Sequence, residues 1–149
     1  MRQAEQVRYL VLAAQREGNR MLAAQLRPLG LTPSQAEVIR VIADRGELTI
    51  GELGELLVCE SGTNPSRLVD RLVEAGMLQR REGVDKRRVI LSLTSAGRGA
   101  EQAVRRIEER MYASIDAAGE GLDADAVVAY LTRLSAGSPS GLAVARREA

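Results

Sequence analysis

The chain has 149 residues, of which 45% are hydrophobic and 28% charged, so its composition suits one folded unit and excludes a disordered chain. Its formal net charge is +1, and it contains one cysteine and no histidine. An internal disulfide, Cys/His zinc sites and catalysis by imidazole are therefore excluded, and we predict no enzymatic activity, cofactor or metal. No apolar run approaches the roughly 20 residues of a membrane helix, so we expect a cytoplasmic protein.

The charges are unevenly distributed along the chain. Residues 63–98 carry eight basic and four acidic side chains, whereas residues 101–136 carry seven acidic and four basic ones. A basic middle region beside an acidic C-terminal third is typical of a protein in which one region faces nucleic acid.

The first half of the chain predicts three helices. Apolar residues at helical spacing indicate a helix over residues 3–26, which Pro28 ends. Thr32 caps a second helix with Pro33 in its first position, and Thr49 caps a short third helix. A polar turn then leads to a fourth helix, so the third and fourth helices form a helix-turn-helix pattern.

The period changes after this motif. Residues 77–81 and 88–93 read as two strands joined by a charged loop, which predicts a hairpin with a basic tip. A long helix over residues 95–117 follows, and Asp123 caps a last helix.

We predict a mainly α fold with a small β-hairpin, in which a winged helix-turn-helix is flanked by N- and C-terminal dimerisation helices. The end helices are more apolar than isolated helices can hide, so we expect them to bury that surface against a second copy of the chain. The predicted divisions are a single unit over residues 1–137, with dimerisation helices at 3–30 and 95–136 and the DNA-binding region at 31–94, and a flexible tail at 138–149.

The start of the fourth helix supplies the first candidate site. In a helix-turn-helix the N-terminal residues of the second helix reach base edges in the major groove, where Arg can bind guanine and Asn can bind adenine. A helix that begins at Asn64 puts Pro65 in the favoured first position. The alternative is that the polar residues only cap the helix and that the arginines are solvated. The candidates are Ser61, Thr63, Asn64, Ser66, Arg67 and Arg71.

The hairpin tip supplies the second candidate site, because a narrow minor groove attracts arginine. We expect Asp85 to hold a nearby arginine in position. The alternative is an ordinary charged hairpin. The candidates are Asp85, Lys86, Arg87 and Arg88.

Residues 85–97, Asp-Lys-Arg-Arg-Val-Ile-Leu-Ser-Leu-Thr-Ser-Ala-Gly, resemble the wing signature of the MarR family of bacterial regulators. Residues 67–78 are similar to the recognition helix of that family, and residues 31–35 to the start of its second helix. The resemblance covers about residues 5 to 136. It implies a homodimeric repressor that binds a pseudopalindromic site in double-stranded DNA and is released by a small-molecule effector. It also implies that Arg87 is the minor-groove arginine, with Asp85 as its orienting partner.

Three questions stay open at this stage. An effector pocket would lie between the DNA-reading part and the dimer helices, with Gln15, Arg16 and Asn19 as candidate lining residues. Cys59 precedes the fourth helix, where oxidation could shift that helix, although a cysteine is more often a small buried apolar residue. A winged helix that binds protein instead of DNA is the remaining alternative, and the basic tip argues against it.

Overall fold

The computed structural model describes residues 1–59 and 64–149, and its elements confirm the predicted fold class. The described residues form seven α-helices and one antiparallel hairpin. No helix in these ranges is long and apolar enough to cross a membrane. The elements are α1 (Gln3–Leu26), α2 (Pro33–Arg45), α3 (Ile50–Gly54), α4 (Pro65–Glu74), β1 (Leu78–Glu82), β2 (Val89–Leu93), α5 (Ser95–Ala118), α6 (Ala124–Ser135) and α7 (Pro139–Glu148).

Local side-chain caps begin the helices of the central motif. The Thr32 hydroxyl accepts the Gln35 N–H, and the Gln35 side chain accepts the Thr32 N–H in return. Asn64 caps α4 by accepting the Ser66 N–H at 3.0 Å, with Pro65 in the first helical position. Each cap satisfies N–H groups that have no partner inside the helix, so these start points follow from a few neighbouring residues.

Helix α2 lies at the centre of the core. Its Val38 and Ile39 are fully buried, and it packs against α1, α4, α5 and β2. Around it lie buried side chains from these neighbours and from α3 and β1: Leu26, Leu53, Val69, Leu72, Leu78, Leu91, Val104 and Ile107.

The two strands of the hairpin pair with each other, and the hairpin also bonds to the chain just after α2. Its register pairs Leu78 with Leu93 and Glu82 with Val89. Leu48, just after α2, donates its N–H to the Leu91 carbonyl at 3.2 Å and accepts the Leu91 N–H at 2.7 Å. The hairpin therefore projects from a fixed base.

Charged side chains join α2 to the long helix α5. The Arg40 guanidinium donates to Glu101 at 2.6 Å and to Glu108 at 2.8 Å. These three side chains are 18%, 11% and 14% exposed, so the pairs are largely shielded from solvent. Removing one partner of such a group leaves a poorly solvated charge, which makes the contact between the two helices specific.

The prediction of a flexible tail over residues 138–149 is wrong for residues 139–148, which form helix α7. Ser138 caps this helix by accepting the Gly141 N–H at 3.0 Å, and Ala143 is 1% exposed. The Gly-Ser-Pro composition indicated flexibility, but here Ser138 and Pro139 begin a helix that packs on the rest of the chain.

Gly97 allows α5 to start in contact with the turn before β1. A Cβ added at Gly97 would lie 2.0 Å from the Met77 carbonyl oxygen, too close for any side chain. The Thr94 N–H also donates to that oxygen at 3.0 Å, and the Thr94 hydroxyl donates to the Gly76 carbonyl. Replacing Gly97 by any larger residue must shift this joint.

We expect Gly97→Ala to lower the free energy of unfolding by about 1–3 kcal/mol, because it overpacks the joint between α5 and β1. Gly99→Ala is the matched control, since a Cβ at Gly99 meets nothing within 4 Å on the same helix. Alanine is a better helix former than glycine, so the control should gain up to about 1 kcal/mol. Urea unfolding of both variants at one protein concentration checks this, and equal stabilities would contradict the close contact.

Candidate nucleic-acid interface

The outer face of α4 carries two exposed arginines, Arg67 and Arg71, one helical turn apart. Their helix buries Val69 and Leu72 on its opposite side, which fixes the direction in which the arginines point. Within residues 1–59 and 64–149, neither guanidinium has a hydrogen bond or an ion pair. Asp70, between them in the sequence, is paired with Arg80 on β1.

The other predicted residues of this helix have more mixed roles. Asn64 is the cap of α4, so its side-chain oxygen is already engaged with the Ser66 N–H. Ser66 is half-buried in the first turn. Ser61 and Thr63 lie outside the described residues.

The wing tip is ordered by its own backbone. The Asp85 carboxylate accepts the Arg87 N–H at 3.0 Å, and the Asp85 carbonyl accepts the Arg88 N–H at 2.9 Å. Asp85 therefore holds Arg87 through its backbone N–H, a bond that a short Asp side chain readily makes to the residue two positions ahead. Lys86 and Arg87 are exposed, and no ion pair with another described residue involves them.

Arg88 connects the wing to the helix-turn-helix. Its guanidinium donates to Glu52 at 2.7 Å, and the same carboxylate accepts the Thr49 N–H at 2.8 Å at the start of α3. The Thr49 backbone and hydroxyl groups hold the pKa of Glu52 below its usual value, with Arg88 adding to the effect. Sequence reasoning missed this pair, because 36 residues separate its members.

A cavity of about 380 Å³ lies between α2 and α5. Its polar lining includes Glu37, Arg40, Tyr112 and Arg147, and Cys59 also lines it. Burial raises the pKa of the Tyr112 hydroxyl above its usual value, and Glu108 raises it further. The side chain of Cys59 is exposed, so the expectation of a buried apolar cysteine is wrong.

A second cavity of about 390 Å³ lies between α1 and α5 and is mostly apolar, with Met21, Ile107 and Met111 in its wall. The predicted pocket residues Gln15, Arg16 and Asn19 are exposed and line neither cavity. On α1 this cavity is bordered by Ala14, Gly18, Met21 and Leu22. The helical period alone did not indicate which residues of α1 border it.

A helix-turn-helix followed by a hairpin attached to the same core defines the winged helix-turn-helix class. Residues 29–88, which hold this motif and its wing, match the model of the MarR family. This part of the chain is similar to the MarR family, as its sequence motifs predicted.

Three relatives show how far the likeness extends. A Bacillus subtilis (strain 168) protein, the uncharacterized HTH-type transcriptional regulator YwoH, is 37% identical over 87 residues, which are 58% of this chain and 61% of that protein. The matched part thus spans about three fifths of that relative. A mutant of MarR from E. coli, solved in complex with operator DNA, is 26% identical with a TM-score of 0.70, covering 86% of this chain and 91% of that one. A MarR-family regulator from Silicibacter pomeroyi is 28% identical with a TM-score of 0.68 and 89% coverage of both chains.

We expect Asp85→Ala to loosen the wing tip, because it removes the acceptor of the Arg87 N–H. Asp85→Asn removes the same charge but keeps an acceptor oxygen, so it is the matched control. Amide hydrogen exchange at Arg87 should be about 2- to 10-fold faster in the alanine variant than in the asparagine variant, the range that one net hydrogen bond corresponds to. The same exchange rate in both variants would remove the ordering role of Asp85.

Proposed function

We propose that this protein is a sequence-specific DNA-binding transcriptional regulator that reads DNA with α4 and with the wing. The proposal rests on one observation: some basic side chains of the motif and the wing have no acidic partner among the described residues. Arg80 and Arg88 are engaged with acidic residues, whereas Arg67, Arg71, Lys86 and Arg87 are exposed and have no such partner among the described residues. The operator complex of the E. coli relative supports this reading.

The four basic side chains have different tasks in this proposal. Arg67 and Arg71 face base edges in the major groove, where arginine makes two hydrogen bonds to guanine. Arg87, on a backbone ordered by Asp85, enters the adjacent minor groove, and Lys86 neutralises a phosphate. Arg88 supports the wing through Glu52 and does not itself read DNA.

We propose a homodimer that represses transcription from a pseudopalindromic site. Helix α6 supports the dimer, because its apolar stripe is exposed: Val127, Val128, Leu131 and Leu134 are 40–61% accessible in the single chain. The apolar cavity between α1 and α5 is a second apolar surface on the same chain. A second copy that covers these faces also sets the spacing of two recognition helices, which a two-fold symmetric site requires.

The cavity between α2 and α5 is the proposed site of a small-molecule effector. Its volume lies in the range of ligand pockets, and its wall joins the DNA-reading part to the helices of the proposed dimer. A ligand there could change how the two parts are oriented relative to each other.

The experiment that tests the function is binding of the purified protein to fragments of its own upstream region at two salt concentrations, beside a random fragment. Tight binding to one fragment, with two protected half-sites roughly one helical turn apart, is the expected result. Equal, salt-sensitive affinity for every fragment would leave a DNA-binding protein whose operator lies elsewhere. Absence of salt-sensitive binding would favour a protein-binding winged helix.

For the wing, we expect Arg87→Ala to weaken operator binding and to lower the slope of log affinity against log salt by about one. Arg88→Ala is the matched control, because it removes the same charge from the next residue, whose guanidinium is bound to Glu52. Its salt slope should change less. Equal slopes for the two variants would contradict their separate roles.

For the dimer, we expect Leu131→Glu to produce monomers, because it places a charge in the apolar stripe of α6. Ala129→Glu adds the same charge on the opposite face of that helix and should remain dimeric. Sedimentation of both variants at the same concentration distinguishes them. A Leu131→Glu protein that remains dimeric would show that the dimer interface does not include this stripe of α6.

A further inference from the structure

Helix α2 holds the amides of the turn that leads to the recognition helix. One carboxylate oxygen of Glu37 accepts the Val58 N–H at 2.8 Å, and the other accepts the Cys59 N–H at 2.9 Å. The Glu37 side chain is 10% exposed, so these bonds are shielded from water. Glu37 thus supplies partners for backbone groups that lie outside any helix or strand.

Helix α7 holds the carbonyls of the same turn. The Arg147 guanidinium donates to the Leu56 carbonyl at 2.8 Å and also to the Glu37 carboxylate at 2.5 Å. Arg146 donates to the Glu55 carbonyl at 3.3 Å. Arg147 therefore joins the turn to the acid that binds its amides, and residues 55–59 are held on both sides of their backbone.

The position of α7 depends on tight local geometry. The Ser138 hydroxyl donates to the Ser135 carbonyl at 2.7 Å, and a Cβ at Gly141 would lie 2.2 Å from that carbonyl oxygen. At its other end, Arg45 of α2 donates to the Arg146 carbonyl at 2.6 Å. Both ends of α7 are thus fixed to other parts of the chain.

We propose that Glu37 and Arg147 are a positioning pair that sets the recognition helix α4 through the turn at residues 55–59, which makes α7 part of the DNA-reading machinery. In its DNA readout the proposal rests on the function proposed above. Neither side chain contacts DNA. Losing the pair alters how Arg67 and Arg71 meet base edges, so operator binding falls more than binding to random DNA, which depends mainly on phosphate charge.

The first test compares Arg147→Ala with Arg106→Ala, which removes the same charge from an exposed residue of α5 that has no bond to other described residues. The readout is the ratio of affinities for the bound upstream fragment and for a random fragment of equal length at one salt concentration. We expect this ratio to fall about tenfold in Arg147→Ala, the factor that one lost charge-assisted hydrogen bond corresponds to, and to stay within about twofold in Arg106→Ala. Equal weakening on both DNAs would overturn the proposal.

Arg147→Lys serves as the conservative variant. A lysine keeps the charge opposite Glu37 but cannot reproduce the forked contact to Glu37 and Leu56, so it should recover part of the ratio. It also remains usable if the alanine variant does not fold. A lysine variant as impaired as alanine, with an unchanged melting temperature, would argue against the pairing.

The second test needs no DNA. Cys59 is the only cysteine in the chain and is exposed, so a nitroxide attached to it reports the mobility of the turn. We expect Arg147→Ala to increase the mobility of the label and Arg106→Ala to leave it unchanged. An unchanged spectrum in Arg147→Ala overturns the pair whatever the DNA result. If the label becomes more mobile in Arg147→Ala but the unsubstituted protein binds no DNA fragment, the proposed function is wrong. The contact between Arg147 and the turn is still supported in that case.

Discussion

Val38, Ile39, Val41 and Ile42 are each at most 4% exposed, so α2 is enclosed by α1, α4, α5 and the hairpin. Every functional element takes its position from this helix. Helix α4 packs on it, and the hairpin is attached just beyond its C-terminal end through Leu48. Close packing of this kind leaves little room for independent movement, so the recognition helix and the wing are presented as one unit.

The polar residues of α2 extend the same role outward. Arg40 pairs with two acids of α5, and Glu37 binds the turn before α4 together with Arg147 of α7. Both side chains line the cavity between α2 and α5. The links that orient the proposed DNA-binding surface are therefore concentrated at one place, where ion pairs shielded from solvent cost much to break singly.

Most of the fold could be predicted because its signals are local. Thr32, Thr49, Asn64 and Asp123 each cap the helix that follows them, as expected, and the change from helical to alternating period marks the hairpin. Asp85 acts on Arg87 over the same short range, through the Arg87 N–H two residues ahead. The α1 residues expected around a pocket, Gln15, Arg16 and Asn19, line neither of the two cavities.

The sequence by itself determined the order of helices and strands up to α6, the winged motif and the resemblance to the MarR family, because caps, turns and periodicity act over a few residues. Only the tertiary structure decided which arginines are engaged and which remain available, because a charged side chain is paired by whatever the fold brings beside it. Arg88 meets Glu52 across 36 residues and Arg147 meets Glu37 across 110. The same holds for α7: its composition resembles a flexible tail, and its contacts with α2 and with the turn at residues 55–59 make it an ordered helix.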